Sequence, residues 1–434
     1  MAPAGLLALL GSVVILTLLL LCRPHPAVAA RAAAPPAQSG NATAIITVTT
    51  TSDVVNGALS SIPALLAQPG PDGVSLREAL LVGNDAPITT TVRVTFAIAG
   101  CATECLILPT TPLPTLARGA LTIDGATQLR PDGRPRIILD GYDLFDPPDG
   151  MIGLLITSAD NRVLSIGIRN FFDRALAIRG STAANNLVAG CTLGSDGESV
   201  PLLSSQIGVE LSGGAHDNQI GGSTAAEGNT ISGSHLSNVA ISGAQTSANV
   251  VAGNLIGTTR AGTLPLSSDA GTTPRGVDVS GGARNNQIGG FTAGAGNTIS
   301  GNATGVRLQG ARDTILSANI IGLDRIGDAP LPNVDYGVLV VGGSRGTLIG
   351  GTLPGSRNVI SSNGTRPGPL TAYGQGVAIQ ESGTTDTRVQ GNVIGLDSSA
   401  TQPRGNLRQG VLVADEAADT LIGGEAAGAG NLIA

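Results

Sequence analysis

A short aliphatic phrase returns again and again from about residue 153 onward, and it limits the fold more than any other feature. It reads Gly208-Val209-Glu210-Leu211, Gly276-Val277-Asp278-Val279, Gly305-Val306-Arg307-Leu308, Gly337-Val338-Leu339-Val340, Gly376-Val377-Ala378-Ile379 and Gly410-Val411-Leu412-Val413. Degenerate copies begin at Ala175 and Asn238, and successive copies start 29 to 39 residues apart. Self-similarity at such a period marks a solenoid, in which each repeat buries its apolar face only against its neighbours. Side chains alternate between the two faces of a strand. Val209 and Leu211, Val277 and Val279, and their counterparts therefore point to one side. Stacked at about 4.8 Å per rung, they make aliphatic columns inside a narrow coil.

The composition suits that interior. The chain has 63 Gly but only 3 Tyr, 5 Phe and no Trp, while 41% of residues are hydrophobic. A compact globule of 434 residues normally fills its core with more ring carbon, whereas a thin coil has no room for it. Charge is sparse, the net is −7 and every basic residue is Arg. With no basic excess, nucleic acid is not expected as a partner.

A second phrase, Asn-x-Ile/Val-x-Gly-Asn-x-Ile, follows the first and is clearest from Asn249 to Ile256. Alternate copies carry an insertion between its halves, as from Asn218 to Ile231 and Asn286 to Ile299, so two coil types alternate. Gly and Asn mark corners where the backbone turns through left-handed space. One corner column reads Asn229, Asn254, Asn297, Asn319, Asn358, Asn392 and Asn431, and stacked amides in register form a hydrogen-bonded ladder. Cys191 holds this position in its own coil and reads as a buried thiol.

These coils resemble the right-handed parallel β-helix repeats of the pectate-lyase-like superfamily, which implies an all-β solenoid. The N-terminal part is similar to the CSLREA-type region of bacterial exported proteins, on Gly73-Val74-Ser75-Leu76-Arg77-Glu78-Ala79-Leu80, with Val74 where that family has Cys. Ser75 and Glu78 have capping-box spacing and Leu76, Ala79 and Leu80 share a helical face. A short amphipathic helix capping the first coil is expected, beside strands over Ile45–Thr50 and Val92–Ile98. Stacking is expected to begin at Leu121–Asp124 and Ile137–Asp140.

The sequence divides into residues 1–29, a secretory signal with an apolar run from Leu6 to Leu21 and a small-x-small site at Ala27-Val28-Ala29; 30–44, an Ala/Pro-rich linker; 45–118, the cap; and 119–434, the β-helix. An uncleaved N-terminal anchor is the rival reading of the first segment. The expected location is secreted or at a bacterial cell surface. Cys101 and Cys105 are candidates for a local disulfide. The motif in progress at Asn431–Ala434 suggests a β-helix truncated at its C-terminus.

Chemistry is sought on the outward column of the first strand, which reads Ala177, Glu210, Ala240, Asp278, Arg307, Leu339, Ala378, Leu412. Glu210 and Asp278 lie two rungs apart, about 9.6 Å by strand spacing, at the wide end of the separation for an inverting carboxylate pair. Arg307 is placed to pair with Asp278. The resemblance offers two enzymatic templates, and neither is met. His216 and His235 lie outside any Gly-His-Gly segment, and no acid cluster falls on adjacent strands. Asp140, Asp143, Asp146 and Asp149 form the densest acidic loop. They are the candidate calcium ligands, without a known loop spacing; no other cofactor is implied. Loops at 195–207, 258–275, 323–336 and 396–409, opened by Gly322-Leu323-Asp324 and its relatives, are expected to project from one side. The leading expectation is a non-catalytic surface rod with a structural, adhesive or glycan-contacting role, its partners polysaccharide or surface proteins. The alternative is a polysaccharide lyase or hydrolase acting through Glu210, Asp278 and Arg307.

Overall fold

In a computed structural model of the chain, residues 43–144, 150–365 and 373–434 are described. The expected signal segment and nearly all of the linker lie outside them, as do Asp146 and Asp149. The described chain winds into a parallel β-helix with three long sheets. Sheet A has 12 strands, sheet B 11 and sheet C 9, and every sheet ladder is parallel. A typical coil passes from sheet C to A to B.

The expected inward columns form. Val209, Val239, Val277, Val306, Val338 and Val377 pair rung to rung in sheet C, and all are fully buried. Ile220, Val251, Ile288, Leu316, Ile349 and Val389 do the same in sheet A. Burying each such side chain contributes roughly 1.5–3 kcal/mol. The coil is too narrow for rings almost everywhere. Phe171 is buried near the start, where a Cβ at Gly141 would stand 2.5 Å from its ring.

The N-terminal region holds β1 (Thr43–Val48), α1 (Ile62–Ala67), α2 (Leu76–Asp85), β2 (Thr91–Phe96) and β3 (Cys105–Ile107). The solenoid reaches further back than Leu121: β1 and β2 are the first two strands of sheet A, and β3 opens sheet B. The expected α2 is present, and its capping box closes in both directions. Helix α1, capped by Ser61, has no counterpart in the sequence reading, because six residues carry too little periodicity. Glu78 is fully buried. Its Oε1 accepts from the backbone of Asn56 and Gly57 at 2.8 and 2.6 Å, and its Oε2 from Ser75 N and Oγ, both at 2.9 Å. Arg77 pairs with Asp53 at 2.7 Å and donates to the carbonyls of Thr111 and Pro112. The Ser-Leu-Arg-Glu segment thus ties the N-terminal loops together, and a buried carboxylate with four donors is a satisfied one. Cys101 and Cys105 form a disulfide, with Cα atoms 5.2 Å apart.

The loops expected to project do not stand free. Leu323 is fully buried and packs with Val359 and Val393 on the outer face of sheet B, beside Ile320 and Leu396. Short antiparallel bridges, Thr258 to Pro265, Leu323 to Pro330 and Leu396 to Pro403, close the last three of the four loops near their bases. Successive loops bond to one another: Arg260 N donates to Gly197 O at 2.7 Å, Arg325 N to Gly262 O at 3.0 Å and Ser398 N to Gly327 O at 2.8 Å. In the loops opened at Gly322 and Gly395 the leucine of the Gly-Leu-Asp phrase contributes, since an apolar side chain beside an apolar outer face folds back on it. No helix among the described residues is long and apolar enough to cross a membrane.

Candidate functional site

The outward column of sheet C forms in the expected register. Glu210 pairs with Ala177 on one side and Ala240 on the other, Ala240 with Asp278, and Asp278 with Arg307. The two carboxylates are therefore separated by one rung that carries only a methyl group. Both are largely buried at 8% exposure, and both are occupied. Arg307 Nε and Nη2 donate to the two oxygens of Asp278 at 2.8 and 2.9 Å, a bidentate fork. Arg179 Nε donates to Glu210 Oε2 at 2.6 Å, and Arg174 Nη2 reaches Oε1 at 3.5 Å. Arg174 and Arg179 lie one rung before Glu210, at the two ends of strand Arg174–Arg179. The sequence reading missed them because it followed only the central column, while long guanidinium side chains reach diagonally across a rung. Arg275 stands nearby; burial, and then the Arg307 charge, hold its guanidinium below the ordinary value.

The aspartates of the Gly-Leu-Asp phrase act within their own loops. Asp324 Oδ1 accepts from the backbone of Asp328 and Ala329. Asp397 Oδ1 accepts from Thr401 and Gln402 at 2.8 and 3.0 Å. The Gln402 amide and the Ser399 hydroxyl hold the Asp397 carboxyl below the usual range. These are turn-forming bonds, which short acidic side chains make readily.

Of the candidate calcium ligands, Asp140 is taken: Arg169 Nε donates to its Oδ2 at 2.9 Å and Asn170 Nδ2 to its Oδ1 at 2.8 Å. Asp143 is exposed. Asp146 and Asp149 lie outside the described residues. Among the described residues no group of three His, Cys, Asp or Glu side chains is placed to hold a metal ion.

A network that the sequence did not announce lies on sheet B near its start. Arg169 bridges Asp140 and Glu104, and Arg130 reaches Glu104 at 3.5 Å. Arg134 joins Asp132 and Glu198 at 2.7 and 3.3 Å. Burial works against the Arg169 charge, but the carboxylates of Asp140 and Glu104 outweigh it and raise its pKa. The partners are 29 and 65 residues from Arg169, so linear spacing holds no trace of them.

Asparagine lines the three corners of the coil. Between sheets A and B the ladder runs from Asn229 to Asn431: each N–H and Nδ2 donates to the Oδ1 of the next rung, as Asn254 does to Asn297 at 2.9 and 3.0 Å. Cys191 N starts it by donating to Asn229 Oδ1 at 2.8 Å. Burial pushes the Cys191 thiol up to about 12. Two further ladders were not foreseen. Asn161, Asn186, Asn218, Asn249 and Asn286 stack between sheets C and A. Asn302, Asn333, Asn363 and Asn406 stack between B and C.

Neither a known protein family nor a curated protein matches the sequence. Solved structures that resemble the chain include the Dettilon tailspike protein gp208, 12% identical, with a TM-score of 0.38 over 85% of this chain and 68% of that one. The A-module of Azotobacter vinelandii mannuronan C-5 epimerase AlgE6 is 16% identical, also at 0.38, over 76% and 85%. PfbA, a surface adhesin of Streptococcus pneumoniae, is 10% identical at 0.25, over 76% and 78%.

Proposed function

We propose that the protein is an exported or surface-displayed β-helix rod that makes structural, adhesive or glycan contacts and does not act through Glu210 and Asp278. One observation carries this reading: each oxygen of the two outward carboxylates faces a guanidinium nitrogen of Arg174, Arg179 or Arg307. A general acid and a general base each need an oxygen aimed at the reacting group. Here those oxygens are spent on ion pairs that fasten one rung to the next. The rest of the outer column is Ala or Leu.

The test is a panel of acidic and neutral polysaccharides incubated with the full chain. Cleavage is followed by new reducing ends and unsaturated products, and binding by a glycan array. Binding without turnover is the expected outcome. Cleavage that disappears in Asp278→Asn overturns the reading and installs the hydrolase or lyase in its place.

A further inference from the structure

The corner that leads from sheet C to sheet A carries an outward column in which neighbouring coils are bridged in register. On three consecutive rungs it holds Arg284, Arg312 and Arg345, all exposed. None of the three makes an ion pair or a side-chain hydrogen bond with another described residue. The corner itself does not ask for arginine, because in other coils the same column holds Ala184, Ser247, Thr385 and His216, the last beside Asp217 at 2.9 Å. Nor is the strip a by-product of a basic chain, whose net charge is −7. Like charges set directly opposite on adjacent strands repel, so the fold alone gains nothing by stacking them.

The arginines form one rim of a shallow trough. Its floor is the outward column of sheet A, where Ile315 and Leu348 follow Gln287 and lead to the exposed Arg388. Glycine or serine lies beside that column, at Gly289, Ser317 and Gly350. A side chain cannot be added at Gly289, whose φ is +91° and whose Cβ would stand 1.8 Å from Ser317 O, so the floor stays low. The far rim is the pair of insertions at 290–296 and 351–357, which touch where Gly355 meets the Phe291 carbonyl. The acids on these rungs and the next are Asp313, beside Arg312, and, one rung beyond Arg345, Asp386 and Glu381, whose Oε2 accepts from Gly342 N at 2.9 Å.

We propose that this trough binds a linear anionic polysaccharide laid along the rod axis, with an acidic group on each of three successive sugars held by Arg284, Arg312 and Arg345. The proposal deepens the glycan-contacting reading above and rests on it. The guanidinium fork matches a carboxylate or a sulfate ester, and the apolar floor suits the C–H face of a sugar ring. An acidic peptide fits less well. Its side chains on one face repeat about every 6.6 Å, out of step with rungs about 4.8 Å apart. A single ring, Phe291, on the far wall is too little for the stacking platforms that hold single-stranded nucleic acid.

The experiment is equilibrium binding of the full chain to a polyuronate, a sulfated polysaccharide, a neutral polysaccharide, single-stranded RNA and polyglutamate. It is run on the parent and on a variant joining Arg284→Gln, Arg312→Gln and Arg345→Gln. The parent is expected to bind the polyuronate, the sulfated polymer or both, and those two arms tell which anion is read. Binding should weaken as salt rises, and the triple variant should bind at least about tenfold more weakly. Its circular dichroism and melting should be unchanged, since the column accepts neutral residues elsewhere. Arg325→Gln, in an exposed loop over sheet B, serves as the control and should bind like the parent. Binding confined to neutral glycans, a triple variant as tight as the parent, or preference for RNA or polyglutamate overturns the trough while leaving the wider reading standing. Binding to no glycan at all overturns the trough and the glycan-contacting part of the wider reading together, and leaves a structural or protein-adhesive rod.

Discussion

Two corners of this coil start with the same device and finish differently. Between sheets A and B, asparagine continues without a break from Asn229 to Asn431, the last coil included. Between sheets C and A it runs from Asn161 to Asn286 and then gives way to Thr314, Thr347 and Thr387, which hold the same register. The asparagine side chain is long enough to accept from the rung before and donate to the rung after. Threonine is not. The hydroxyls of Thr347 and Thr387 are buried with no hydrogen-bond partner, and Thr314 Oγ1 reaches only the Arg312 carbonyl, at 3.5 Å. A corner can thus be turned without the amide, but only by leaving polar atoms unsatisfied. The ladder is therefore a source of stability more than a geometric necessity, and substitutions on both corners measure how much.

The largest effect is expected at the middle of the unbroken ladder. Asn319 Nδ2 donates to Ile288 O and Asn358 Oδ1, and its Oδ1 accepts from the N–H and the amide of Asn297. Asn319→Leu removes all four bonds and leaves buried partners on two rungs unsatisfied. The expected loss is about 3–5 kcal/mol in chemical denaturation. A loss below about 1 kcal/mol would mean that the aliphatic columns alone hold the corner.

Much of this was legible beforehand, and the pattern of what was not is instructive. The inward columns and the A-to-B ladder were readable because both depend on one residue type recurring at one register. The second ladder was on view in Asn218, Asn249 and Asn286, at the head of the Asn-x-Ile/Val-x-Gly phrase. It is hard to read there because its later members are threonine, so no single letter repeats to the end. The third ladder, from Asn302 to Asn406, lies beyond loops of unequal length, which destroys any fixed spacing. The partners of Glu210 were hidden because they come from both ends of a neighbouring strand. In two of the loops, folding back draws on Leu323 and Leu396, which the sequence shows only as members of a phrase that opens a loop. Periodicity reports what stacks on itself. Contacts between unlike columns leave no such mark.

A gain is expected from the reverse experiment, Thr314→Asn. This position follows Asn286 directly, and Asn286 Nδ2 now donates only to Thr246 O, at a long 3.3 Å. An asparagine at 314 offers its Oδ1 to the N–H and amide of Asn286, as Asn286 offers its own to Asn249. The expected stabilisation is about 1 kcal/mol. Destabilisation would show instead that threonine was placed there because the corner narrows after Asn286.

The smallest effect separates those two accounts. Thr347 is 1% exposed and its hydroxyl has no partner, so Thr347→Val exchanges an unsatisfied polar atom for a methyl group of nearly the same shape. Such an exchange is ordinarily unfavourable, because the hydroxyl it removes is bonded. Here there is no bond to lose, and the expected change runs from zero to about 1 kcal/mol of added stability. If threonine marks a narrow corner, valine fits equally well and the gain appears, while asparagine at 314 fails. If threonine is only an interrupted ladder, both substitutions stabilise and the asparagine does so by more. A loss of 1 kcal/mol or more in Thr347→Val would refute both accounts, for it would require a bond to the Thr347 hydroxyl, and the two corners would then differ in the length of their side chains but not in how fully their polar atoms are satisfied.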